Sequence, residues 1–298
     1  MRPNLLIAGG TRCATTFLHN NLIQHPGISG SAQKEETHFL AYGAGVEFHG
    51  PDDVTTINRN LLRHAHQWDE MYLNVENTYV LESSTSTLYG GEAAIDRINT
   101  HCEPDVKIIV ILRDPVKRMI SAHQYLSNRG SETLGLMDAV AAERSRMRDN
   151  WHHLWHYAAM GRYGEQLLPF IKAFGSRLCI LDYDQLTLHP VETITAVCEW
   201  LNLGAACPVS TRPVNQSGVA RSNTALKMVQ GLKHGSITYA VYDRLPLGLR
   251  QWVKNLLFAR KPETPEVGSR FKSMYETDIQ LLKGLLRRAD WPMWLREW

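Results

Sequence analysis

Short apolar runs alternate with stretches of helical spacing along much of the chain. Leu5-Leu6-Ile7-Ala8 is a continuous apolar run ending at Gly9-Gly10. That is the pattern of a strand buried on both faces of a parallel sheet. From Thr15 to Gln24 the period changes: Leu18 and Leu22 stand one turn apart and Pro26 follows, which predicts a helix. Tyr79-Val80-Leu81 predicts a second strand, leading into the polar turn Glu82-Ser83-Ser84-Thr85-Ser86. Lys107 to Leu112 (KIIVIL) is the clearest strand, rich in β-branched residues. It ends at Arg113-Asp114-Pro115, where Asp114 suits a helix N-cap and Pro115 the first helical position. The helix that follows carries Met119, Ile120 and Leu126 near one face. Leu178 to Leu181 adds a strand and 190–201 a helix. A final helix over 275–288 places Ile279, Leu282 and Leu286 together. From 221 to about 265 no strand pattern is visible.

Strands alternating with helices predict an α/β fold, a central, mainly parallel sheet flanked by helices. No repeat, low-complexity tract or linker divides the chain, so residues 1–298 read as a single domain. Ligands of such sheets bind beyond the carboxyl ends of the strands. Three of those ends carry polar residues: Gly9 to Thr16, Glu82 to Ser86, and Arg113 to Ser121.

Composition changes this picture little. With 44% hydrophobic and 21% charged residues the chain can bury a sizeable core. A net charge of +2 without a basic run argues against nucleic acid as a partner. Cys13, Cys102, Cys179, Cys198 and Cys207 are scattered, without metal spacing or a disulfide framework. Reduced thiols and a cytoplasmic location are the expectation, supported by an amino-terminal apolar run too short for a signal peptide. No stretch reaches the roughly 18 apolar residues of a membrane span.

Gly9-Gly10-Thr11-Arg12-Cys13-Ala14-Thr15-Thr16 carries the first chemistry. Small residues let backbone close around a phosphate, and the following helix aims free N–H groups at it. Arg12 adds charge, Thr15 and Thr16 hydroxyl donors. No Gly-Lys pair precedes Thr15, so this is not a Walker A loop. Arg113, at the end of the clearest strand, offers a planar fork of donors suited to an anion.

These segments resemble those of sulfotransferases that use 3′-phosphoadenosine 5′-phosphosulfate (PAPS). Residues 9–16 look like the family's 5′-phosphosulfate loop, with Arg12 where many members have Lys and Ala14 where many have Gly. Ala14 fits only if it need not take a positive φ. Lys107 to Ser121 (KIIVILRDPVKRMIS) is similar to the family's 3′-phosphate motif. Gln33 to Phe39 (QKEETHF) is similar to the Lys-Glu-x-His-Phe segment of the branch that includes heparan sulfate and bacterial carbohydrate sulfotransferases. One extra acidic residue leaves the register open between Glu35 and Glu36. In an extended segment Lys34, Glu36 and His38 share a face, and the Glu-x-His spacing also selects Glu36. Glu82 to Ser86 resembles a family Glu-Lys-Ser-Pro segment in which Ser83 here replaces Lys and Thr85 replaces Pro.

The resemblance implies a P-loop-like three-layer fold and an in-line, metal-independent transfer of a sulfuryl group from PAPS to an acceptor. Glu36 would be the base, with Arg12, His38 and Lys34 assisting. Gly10, Thr11, Arg12, Cys13, Ala14, Thr15, Thr16, Arg113, Ser121, Tyr163 and Arg221 would bind the nucleotide. The acceptor would be a hydroxyl or amine of a carbohydrate or small molecule. His152 and His156 sit at one-turn spacing without a third ligand, so no metal is expected. The tryptophans 291, 294 and 298 read as buried area. Two other readings stay open: a non-catalytic module binding adenosine 3′,5′-bisphosphate, and a nucleotide-dependent phosphotransferase.

Overall fold

The structure, a computed structural model, describes residues 1–31, 36–73, 75–204, 209, 219–220, 258–259 and 270–298. Five strands form one parallel sheet: β1 (Leu5–Gly9), β2 (Ile28–Gly30), β3 (Tyr79–Glu82), β4 (Lys107–Leu112) and β5 (Leu178–Asp182). Their order is β2-β3-β1-β4-β5. Leu5 pairs with Leu81 on one side and Lys107 on the other, and Leu112 pairs with Asp182. β1 is therefore the middle strand, with β3 and β4 on either side, and it is buried at every position.

Parity along the strands divides the core in two. Leu6, Ala8, Val80, Ile108, Val110 and Leu112 belong to one apolar cluster, while Leu5, Ile7, Leu81, Ile109 and Ile111 belong to the other. The first cluster is covered by α4 (Gly91–His101), α5 (Pro115–Arg129), α8 (Tyr163–Phe174) and α11 (Glu276–Leu285); the second by α1 (Thr15–Leu22) and α10 (Pro190–Trp200). Two covered faces explain why the strand sequences are continuous apolar runs rather than alternating ones. The shorter helices are α2 (Phe39–Tyr42), α3 (His66–Met71), α6 (Leu136–Ala141), α7 (Glu143–Arg148) and α9 (Tyr183–Leu188).

Three expectations need correction. β2 is a strand of three residues, too short for periodicity to reveal. The span 221–265 contains one strand of a ribbon, Phe258–Ala259 pairing antiparallel with Val219–Ala220. Cys198 is disulfide-bonded, its partner lying outside the described residues, whereas Cys13, Cys102 and Cys179 are free thiols. Among the described residues no helix is long and apolar enough to cross a membrane.

Candidate active site

The parallel sheet brings the ends of β3, β1, β4 and β5 into one row, and the polar segments lie along it. Beyond β1 the chain turns sharply. Gly10 N–H donates to the Ile111 carbonyl at 2.9 Å, tying the loop to the end of β4, and Cys13 N–H donates to the Gly10 carbonyl at 3.1 Å. Arg12 and Ala14 both take left-handed backbone, at φ +67° and +63°. Alternating backbone handedness turns successive N–H groups inward, which is how a loop forms an anion nest. Ala14 is thus in the conformation that glycine would accept without strain, so the condition set from sequence, that it need not take a positive φ, is not met. Its methyl offers no cap to α1, whose first N–H groups are left to a ligand or solvent. At the helix start Thr15 is buried and Thr16 exposed.

Cys13 and Tyr163 lie beneath this loop. Both are fully buried, with Cys13 Sγ 3.8 Å from the Tyr163 hydroxyl. Burial pushes the Cys13 thiol pKa up, so it is a packing group rather than a nucleophile.

Two guanidiniums flank the loop. Arg12 lies over the Tyr125 ring at 4.5 Å and donates through Nε to Ser121 Oγ at 3.4 Å. Arg113 lies over the Tyr183 ring at 4.4 Å and donates through Nη1 to the Arg12 carbonyl at 3.1 Å. Its Nε is buried without a partner. Asp114 does not neutralise it: that carboxylate accepts Lys117 N–H at 2.8 Å and the Trp298 indole N–H at 2.9 Å. Burial lowers the Arg12 pKa, and the charge of Arg113 acts in the same direction. Two like charges in a partly desolvated site are relieved by an anion.

The third element is Glu36. Its Oε2 accepts the Thr85 N–H at 2.9 Å and the Thr85 hydroxyl at 2.8 Å. Thr85 also receives the Thr11 hydroxyl on its carbonyl at 3.2 Å. A single residue after β3 therefore joins the carboxylate to the loop. His38 Nδ1 lies 3.8 Å from Glu36 Oε2 and 2.9 Å from Ser86 Oγ. Glu36 and His38 converge, though not because the segment is extended: His38 takes φ +53° at the start of α2. The Glu36 side chain is 36% exposed and His38 only 6%, so the carboxylate faces the opening and the imidazole supports it.

Residues 3–206 match the sequence model of the sulfotransferase family. The chain belongs to that family. It is 28% identical over 124 residues to the membrane-associated sulfotransferase kil1 of Dictyostelium discoideum, covering 41% of this chain and 23% of that protein. It is 23% identical over 217 residues to the bifunctional heparan sulfate N-deacetylase/N-sulfotransferase 1 of Caenorhabditis briggsae, covering 67% of this chain and 23% of that one. The alignments thus span about a quarter of these curated relatives' length. Among solved structures, a sulfotransferase from Alicyclobacillus acidocaldarius superposes with a TM-score of 0.63 at 25% identity, covering 84% of this chain and 99% of that chain.

Within this family member, Lys34, Glu35 and Arg221 lie outside the described residues, so their sequence-based assignments stand as expectations. The histidines 152 and 156 flank a short 3-10 turn, His153–Trp155, instead of sharing a helix face. His152 Nε2 faces Asp53 Oδ1 at 3.2 Å, and His156 Nδ1 faces the Tyr89 hydroxyl at 2.9 Å. Among the described residues no group of three His, Cys, Asp or Glu side chains is placed to hold a metal. Sequence reasoning missed Thr85 as an anchor and Tyr125 and Tyr183 as platforms. Tyr125 was within reach, one helical turn after Ser121 on α5. Nothing local marks Tyr183, which depends on β5 pairing with β4.

Proposed function

We propose that this chain is a PAPS-dependent sulfotransferase acting on a hydroxyl or amine of a carbohydrate or small molecule. The observation that supports it most is the linkage of Glu36, through Thr85, to a phosphate-type loop flanked by two arginines. The residues present fit such a donor: an open loop at a helix start, an orphaned Arg113 Nε, and the Arg12–Ser121 contact. Arg113 and Ser121 would hold the 3′-phosphate, and Gly10 to Thr16 the 5′-phosphosulfate. Cys13 and Tyr163 contribute from below, by fixing the loop.

PAPS supplies a sulfuryl group whose bond to the 5′-phosphate oxygen breaks as the acceptor oxygen or nitrogen bonds to sulfur, leaving adenosine 3′,5′-bisphosphate. Glu36 takes the acceptor proton as general base. Thr85 occupies one face of its Oε2 with two donors, so the carboxylate is oriented before the acceptor arrives. Arg12 and the loop N–H groups stabilise the charge that grows on phosphate. Burial keeps His38 neutral, opposed by the nearby Glu36 charge, so it orients the base without ion-pairing to it.

Calorimetric titration with adenosine 3′,5′-bisphosphate and with AMP tests the donor. The bisphosphate is expected to bind more tightly, and Arg113→Ala to abolish the difference; equal affinities in the unmodified protein would remove the PAPS reading. Glu36→Gln is expected to lower turnover by about 100-fold or more while sparing nucleotide binding. Near-normal turnover in that variant would show that Glu36 is not the base.

A further inference from the structure

The segment after α11 touches three residues at or beside the nucleotide site: Tyr163, Asp182 and Asp114. Trp294 packs beside Tyr163, the residue under the loop, with ring centroids 6.2 Å apart. Met293 N–H donates to Asp182 Oδ2 at 2.7 Å. The Trp298 indole N–H donates to Asp114 Oδ2 at 2.9 Å.

The two carboxylates matter because of where they stand. Asp114 follows Arg113 in the chain, and Asp182 pairs in register with Leu112, the residue before it. A guanidinium whose neighbouring carboxylate is free to turn toward it ordinarily pairs with it. Here each carboxylate is already satisfied. Asp114 accepts from Lys117 N–H and Trp298, and Asp182 from Asp184 N–H and Met293 N–H. Arg113 consequently stacks on Tyr183 with its Nε unpaired.

We infer that Trp298 is a positioning residue: by holding the Asp114 carboxylate it keeps Arg113 open for the 3′-phosphate of the donor nucleotide. The inference rests on the reading of Arg113 as the 3′-phosphate ligand. It goes further by assigning selectivity for a 3′-phosphorylated nucleotide to an aromatic residue distant in sequence from both phosphate motifs. Without the indole N–H, Asp114 keeps only the Lys117 amide on its other oxygen and is free to turn toward Arg113, where it competes with the anion.

The experiment is calorimetry with adenosine 3′,5′-bisphosphate and AMP on the full chain and on Trp298→Phe, which keeps the ring and removes the N–H. The expected result is a fivefold to tenfold fall, roughly, in bisphosphate affinity with AMP affinity unchanged. The same replacement in an Asp114→Asn background is expected to leave the affinity ratio unaltered. Asn still caps α5 but carries no charge to compete. An undiminished ratio in Trp298→Phe, an equal loss for both nucleotides, or no relief in the Asp114→Asn background would each overturn the inference. Absence of any preference in the unmodified protein would instead overturn the PAPS reading beneath it.

Discussion

Ala14 bears a methyl group in left-handed backbone at φ +63°, on the loop that the proposal assigns to the phosphosulfate. Such a residue costs about 1–2 kcal/mol relative to the right-handed region, and glycine avoids that cost. Ala14→Gly is therefore expected to raise unfolding free energy by about 1 kcal/mol, partly offset by the entropy of a more flexible unfolded chain. Denaturant titration at fixed temperature measures it; a loss of stability would show that the methyl packs usefully in spite of its φ. Strain retained where an anion is to be held belongs to the pattern of functional sites. The sequence flagged Ala14 as the unusual residue of the loop, but the sign of its φ came only from the fold, because it depends on Gly10 being tied to Ile111 across the sheet.

Between elements, one carboxylate does the work of a missing local cap. α8 begins at Tyr163, just where the support under the loop lies, and Arg162 before it gives no side-chain cap. Asp278 of α11 supplies the acceptors instead, taking Gly164 N–H at 3.0 Å and Glu165 N–H at 2.9 Å. The helices approach closely enough that a Cβ on Gly164 would stand 2.6 Å from the Asp278 carbonyl. Asp278→Ala leaves two amides without their partner and is expected to cost about 1–2 kcal/mol, with Asp278→Asn recovering part of it. Chemical denaturation of the three proteins checks this, and indistinguishable midpoints would show that water replaces the cap. Ile279 and Leu282 announced the apolar face of this helix by spacing; Asp278 beside them gave no sign of its role, since its partners lie more than 110 residues away.

For the molecule as a whole, buried titratable groups set the pH range of stability. Burial lowers the pKa of His38, His152, His153 and His156, the last to about 4 from an ordinary 6.5. Below 6.5 the unfolded chain binds protons that the folded histidines refuse, so stability falls as the solution becomes more acidic. Glu82 acts in the opposite sense. Burial raises its carboxyl pKa to about 8 from 4.5, with Ser84 donating to Oε1 and Oε2 left unpartnered. The folded state then holds a proton that the unfolded chain has released, and stability declines as pH rises from 4.5 toward 8. Burial lowers His19 likewise and raises the carboxyls of Asp53, Glu143, Asp182 and Asp278 as it does that of Glu82. Just below pH 6.5, where the unfolded histidines begin to bind protons, the five histidines dominate. Denaturation midpoints are expected to climb between about pH 5 and 6.5, then drift down toward 8. Glu82→Gln is expected to remove the downward drift alone; an unchanged drift would place its origin elsewhere.

Four of the five sheet strands, the helices after β1 and β4, and the two polar segments proposed to bind phosphate were legible in the sequence. Apolar runs, turn residues and cap positions are local signals that survive without the fold. Tertiary structure decided what depends on separated segments meeting. It gave Thr85 its place between Glu36 and the loop, and put Tyr183 beneath Arg113 by pairing β5 with β4. It also delivered Trp298 to Asp114, 184 positions away. Each of these contacts is set by sheet order and by how a distant segment packs, and neither property leaves a period or a motif in the chain.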